Sequence, residues 1–192
     1  KEGVQAHTGI TEGTFFRDQG WFFYQLGRLI ERADQTTRLL DIRYHLLVPA
    51  AGEERRVAEL TQWGGVLRAA AGYHAFRRVA PPGFTPRDVV TFLLTDTEFP
   101  RSVALCVAQT EWCLTQLRSR YGLRGTAAAL EHVEELRGAL MNRAVDQIIE
   151  TGLHQFLDGV QIELARIAAE IGTAFFRDWR PLAGQDQVQA AE

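Results

Sequence analysis

The 192-residue chain has two cysteines, no Lys/Arg run longer than two and no apolar stretch near the ~20 residues a bilayer span needs. Each shortage excludes something. Cys106 and Cys113 stand seven residues apart, which on a helix puts them on one face but roughly 10 Å apart along the axis. That is too far for a mutual disulfide, so a reducing compartment is expected, with the cytoplasm as the default. Without a basic stripe there is no electrostatic footprint for nucleic acid. The absence of a long apolar run argues against a membrane protein, and no secretory signal is present. Strand-like alternation is almost missing. So are the phosphate-cradling glycine loops, both G-x-x-x-x-G-K-[ST] and a strand-led G-x-G-x-x-G.

What remains is ordinary for a globular chain. Apolar residues make up 46% and charged ones 23%, and 21 basic against 24 acidic residues leave a net charge of -3. This length buries a sizeable core without metal or disulfide help. The first residue is Lys1 rather than Met, which suggests a piece of a longer polypeptide.

Helical spacing recurs along the chain and predicts an all-α fold, an antiparallel bundle of about six helices. Residues 1–17 read as a helix end plus loop, because Gly3, Gly9 and Gly13 interrupt any pattern there. The bundle is expected over 18–179 and a disordered tail over 180–192. The first strong helix runs from about Asp18 to Leu47, with Phe22, Leu26, Leu29, Ala33, Leu40, Tyr44 and Leu47 on one arc. Trp21, Leu39 and Leu46 lie on a second, with Tyr24 and Ile42 close by.

A helical stretch over Glu53–Val79 should break near Gly64-Gly65 or Gly72. Thr85-Pro86-Arg87-Asp88 is a helix start with Thr85 as the cap. A further helix opens at Pro100 and ends before Gly122, with Val103, Cys106, Thr110, Cys113, Leu117 and Tyr121 inward. Another runs from Thr126 to about Glu150, with Leu130, Val133, Leu140, Ala144 and Ile148 inward. Gly152 separates it from the last helix, whose stripe is Leu153, Leu157, Val160, Leu164, Ile167, Ile171 and Ala174. The tetrapeptide Phe-Phe-Arg-Asp occurs at Phe15–Asp18 and again at Phe175–Asp178, a chance recurrence given the mismatched flanks.

The first helix carries the densest charge, Arg28, Glu31, Arg32, Asp34, Arg38 and Asp41, although it is apolar on more than one side. Arg28 with Glu31, and Asp34 with Arg38, are spaced for intrahelical pairs. Exposed, each pair contributes only about 0.3–0.5 kcal/mol. Buried, the loss of one partner costs ~3–5 kcal/mol because the other charge is stranded. Glu111, Asp146, Glu150, Asp158 and Glu163 are the candidate partners from other helices. The first expectation is a network that fixes helix register; the alternative is an arginine-lined anion pocket, with Arg17, Asp18 and Trp21 at its edge.

Gly20-Trp21, Leu26-Gly27-Arg28, Ile30-Glu31-Arg32-Ala33 and Thr37-Arg38-Leu39-Leu40-Asp41 closely resemble the signature of the bacterial alpha-E domain family. Phe99-Pro100-Arg101-Ser102-Val103 supports the resemblance more loosely. The resemblance implies an all-helical domain named for a Glu-Arg motif, here Glu31-Arg32, with this chain as the C-terminal portion of a longer member. It implies no established activity. Family members are commonly encoded beside, or fused to, ATP-grasp peptide-ligase-like and transglutaminase-like proteins, which implies a role in making or modifying a peptide.

No catalytic constellation emerges, no cofactor is implied and the oligomeric state is open. Cys106 and Cys113 sit on an apolar stripe, where cysteine behaves as a small hydrophobe. Glu-x-x-His, the usual bundle metal motif, is absent. Glu150/His154 and Asp41/His45 are spaced four apart and would form a site only if their helices faced each other, so no metal site is assigned. Trp21, Trp63, Trp112 and Trp179 read as bundle anchors. The expected function is a non-catalytic binding or scaffold domain partnering an ATP-grasp-type peptide ligase. The rival is an enzyme acting on an amide or peptide through the Arg/Glu group.

Overall fold

In the computed structural model, which describes residues 2–45 and 53–176, there are eight α-helices, one 3-10 turn and no strand among the described residues. They are α1 (Glu2–Thr14), α2 (Gln19–His45), α3 (Glu53–Ala69), α4 (Tyr73–Val79), α5 (Pro86–Thr95), α6 (Val103–Tyr121), the turn Arg124–Thr126, α7 (Ala127–Met141) and α8 (Val145–Phe175). The all-α expectation is met, with more and shorter helices than the six foreseen. Leu46, Leu47, Trp179 and the expected tail over 180–192 lie outside the described residues.

Four helices form a ring in which α2 packs on α6, α6 on α7, α7 on α8 and α8 back on α2. The apolar stripes explain this. On α2, Phe22, Leu26, Leu29, Ala33 and Leu40 are buried; on α8, Leu153, Leu157, Val160, Leu164, Ile167 and Ile171 are buried. Burying one such Leu or Ile contributes about 1.5–3 kcal/mol, so the ring is the main source of stability. The second arc of α2 is only half covered: Trp21, Tyr24 and Leu39 are intermediate, and Ile42 is exposed.

Helix α5 closes one part of the ring, packing against α2, α6, α7 and α8, with α3 and α4 outside it. There Phe92 stacks on Phe99 with centroids 4.6 Å apart, and Phe76 sits edge-on to both Phe84 and Phe92. Gly72 lies against this cluster; a Cβ there would come 2.8 Å from Phe99 Cζ. The expected break falls at this point, with Ala71 in a left-handed conformation (φ 54°), while α3 runs unbroken through Gly64-Gly65.

Several local expectations hold and several shift. Thr85 and Asp88 form the reciprocal cap of α5, and Gly122 ends α6 at φ 68°. Helix α6 starts three residues later than expected, because Ser102 rather than Pro100 caps it, accepting from the Leu105 amide at 3.2 Å. Residues 2–14, expected as a helix end and loop, form α1 in spite of three glycines.

The helix expected over Thr126–Glu150 stops at Met141, and Thr126 gives its hydroxyl to the Leu123 carbonyl instead of capping. Ala144, expected inward, is exposed at the new break, and Ala174 is exposed near the end of α8. Gly152 separates two helical runs as expected: its φ of 122° and ψ of 95° are not helical, and the two runs of α8 meet there at a kink.

Candidate functional site

Arginine is concentrated where α2 meets the turn that precedes α6. Arg32 sends Nη1 to the Pro100 carbonyl at 3.1 Å, and one turn on, the Thr36 hydroxyl lies 2.9 Å from the Arg101 carbonyl. The turn is built from Asp96, whose carboxylate accepts from the Glu98 amide at 2.8 Å and the Phe99 amide at 2.6 Å. Ser102 donates its hydroxyl to the Asp96 carbonyl. The two sequence segments that carried the family resemblance therefore meet, with the arginine of the Glu-Arg pair tying them.

Arg28 reaches away from the turn, to Glu12 on α1, which also lies 3.4 Å from Gln25 Nε2. Its Nε is buried without a hydrogen-bond partner. Burial, and then the like charge of Arg32, pull its guanidinium below its ordinary value; it stays a cation. Arg28, Arg32 and Arg101 all lie near enough to favour a Cys106 thiolate electrostatically. Burial outweighs them and pushes that thiol up to about 11, while Cys113, with burial alone, rises to about 12. Among the described residues, Glu12 is the one carboxylate paired with these three arginines. The Asp96 carboxylate lies in the same turn and accepts from two backbone amides; Arg32 and Arg101 have no ion-pair partner among the described residues.

The remaining expected residues are dispersed around the ring. Asp34 and Arg38 form the intrahelical pair foreseen for them, with Nε–Oδ2 at 2.7 Å, on the exposed side of α2. That contact raises the Arg38 pKa. Glu31 does not pair with Arg28; it accepts from Gln35 at 2.7 Å. Asp41 meets His154 of α8, Oδ1 to Nδ1, at 2.7 Å. The side chain of His45, offered as a partner of Asp41, lies outside the described residues.

Asp18 caps α2, its carboxylate accepting from the Gly20 and Trp21 amides at 2.9 and 3.3 Å. Arg17 lies over the Trp21 ring, 5.2 Å from its centroid, and Trp21 stands edge-on to Trp112. None of the five acidic partners proposed for the α2 arginines reaches them. Glu111 pairs with Arg137 at 2.9 Å, Asp146 with Arg87, Glu163 with His132 and Arg166, and Asp158 lies 3.9 Å from His154; Glu150 is exposed. Their helices, α6 and α8, do pack on α2, but Glu111, Asp146, Asp158 and Glu163 meet other groups there.

Two features escaped the sequence reading. Arg101 was visible in the Phe99–Val103 segment but was expected inside a helix opening at Pro100, off its inward stripe, whereas it lies in the turn before α6. The other is the group His132, Glu135 and Glu163, whose ligating atoms lie within 4.8 Å of one another. Its only sequence signal is His132-x-x-Glu135, the reverse of the motif sought.

The model of the Alpha-E family, described as a predicted alpha-helical domain with a conserved ER motif, matches residues 1–176. The chain belongs to the Alpha-E family. An uncharacterized protein of Mycobacterium bovis and two of Mycobacterium tuberculosis are similar to this Alpha-E chain at 26% identity over 169 residues. The alignment covers 88% of this chain but only 18% of each relative, so the Alpha-E chain spans less than a fifth of their length. No solved structure matches. No helix among the described residues is long and apolar enough to cross a membrane.

Proposed function

We propose that this chain is a non-catalytic helical binding or scaffold domain whose Arg28–Arg32–Arg101 face receives an acidic group of a partner or substrate. The observation that carries the reading is the arginine cluster around Cys106: among the described residues only Arg28 of the three has an ion-pair partner, and its Nε is buried and unsatisfied. Buried donors are ordinarily paired, and planar guanidinium groups suit a carboxylate or phosphate bidentately. The reading extends to a partnership with an ATP-grasp-type peptide ligase in peptide synthesis or modification. It rests on the family resemblance and on the lack of a phosphate-binding glycine loop in this sequence, which leaves nucleotide chemistry to a partner. The rival, an amide- or peptide-acting enzyme, gains no thiol nucleophile from this face, because Cys106 stays protonated near neutral pH.

Calorimetry with a glutamate-rich peptide and its glutamine counterpart tests the binding step. The acidic peptide should bind and lose about ten-fold in affinity on Arg101→Gln, a loss of one charge-assisted contact. Equal affinity for the two peptides, or none for either, refutes the anion face. Co-purification with an ATP-grasp ligase encoded beside it tests the partnership separately.

A further inference from the structure

His132 and Glu135 stand one turn apart on α7 and project from the same face, and Glu163 reaches them from α8. His132 Nδ1 lies 3.2 Å from Glu163 Oε2 and 4.0 Å from Glu135 Oε2. Two donors each about 2.1 Å from a divalent ion stand about 3.0–3.4 Å apart at octahedral to tetrahedral angles. The His132–Glu163 pair already has that spacing. Glu135, 73% exposed, needs only a rotamer change to reach it.

The other oxygen of Glu163 is taken by Arg166, Nη1 to Oε1 at 2.6 Å, which leaves Oε2 turned to the imidazole. Such an outer contact fixes a carboxylate for ligation. Beside the group is a cavity of about 300 Å³, with Glu135 and Glu163 on its wall and Arg143, Gln155 and Phe156 opposite or around them.

We propose that His132, Glu135 and Glu163 bind a divalent transition-metal ion, with the remaining coordination positions turned to this cavity. One imidazole and two carboxylates suit Mn²⁺, Fe²⁺, Co²⁺ or Zn²⁺, while the absence of thiolate disfavours Cu⁺. Arg143 on the cavity wall adds a cation that would meet an anionic ligand of the ion. This site lies on the α7–α8 seam and is independent of the arginine face of α2.

Titration of the whole chain with Co²⁺, followed by its visible absorption, is the test. Saturable one-to-one binding is expected. It should weaken by at least about ten-fold in Glu163→Gln and in the exposed, packing-neutral Glu135→Gln, with unchanged circular dichroism. His154→Gln should leave it intact. Failure to saturate, affinity unchanged from the parent chain in either Glu variant, or loss of binding in His154→Gln overturns the proposal.

Discussion

At the scale of single residues, His154 is governed by what α2 places before it. The hydrogen bond that His154 donates to Asp41 raises the His154 pKa; the charge of Asp41 and then of Asp158 act in the same direction, against desolvation. A folded pKa above the unfolded value of about 6.5 means that protonation favours the folded chain. Its contribution is therefore complete below about pH 6.5 and fades as pH rises through the folded value. NMR titration should place the His154 midpoint above that of a free histidine, and Asp41→Asn should bring it down. An unmoved midpoint in that variant would mean the bond does not exist in solution.

Gly152 makes a sharper demand. At φ 122° an alanine is strained whatever the space, and its Cβ would also lie 1.8 Å from Gln155 Oε1. The Gln155 tip can swing away, since it is the end of an exposed side chain, but the backbone cannot. Gly152→Ala should cost about 1–3 kcal/mol in urea unfolding.

At the scale of elements, the turn before α6 depends on α2 as much as on its own residues. Arg32→Ala removes a charged donor from the Pro100 carbonyl at partial exposure and should cost about 1–2 kcal/mol. Combined with Thr36→Val, which frees the Arg101 carbonyl, the loss should exceed either alone, since both bonds hold one turn. Helix α5 gives a simpler case: Asp88→Ala opens its cap at a cost of about 1 kcal/mol in the same unfolding assay.

These elements also show where the sequence was legible. Caps such as Thr85-Pro86-Arg87-Asp88 and Gly122 are local chemistry and could be read directly. The stripe of α8 could be read because its spacing repeats over six buried positions. The break at Asn142–Ala144 could not, because no proline or glycine marks it. Arg28 was paired with Glu31 on spacing alone; its actual partner, Glu12, sits on a helix whose glycines hid it. Cross-helix meetings such as Asp41–His154 and His132–Glu163 need the packing order, which periodicity does not contain.

At the scale of the whole molecule, each seam of the four-helix ring carries polar ties. Arg32 and Thr36 span α2 and the turn before α6; Glu111–Arg137 spans α6 and α7; His132–Glu163 spans α7 and α8; His154–Asp41 closes α8 on α2. Apolar stripes alone allow helices to slide by a turn, whereas such ties favour one register. Of the 21 Lys and Arg side chains all but Lys1 are arginine, the residue whose fork reaches carbonyl and carboxylate partners with the least loss of order.

The two thiols report on the intact ring. Both are buried and held protonated, so an aromatic disulfide reagent should react with neither in native buffer and with both once urea unfolds the chain. Reaction of one thiol well before unfolding would reveal a local opening of α6. The kink in α8 has a consequence for chain length. One residue inserted within 156–160 would turn the downstream stripe by about 100°, carrying Leu164, Ile167 and Ile171 out to water. The same insertion beside Gly152, where the backbone has already left its helical path, can be absorbed in the bend. The corner is thus where this long stave tolerates a change of phase.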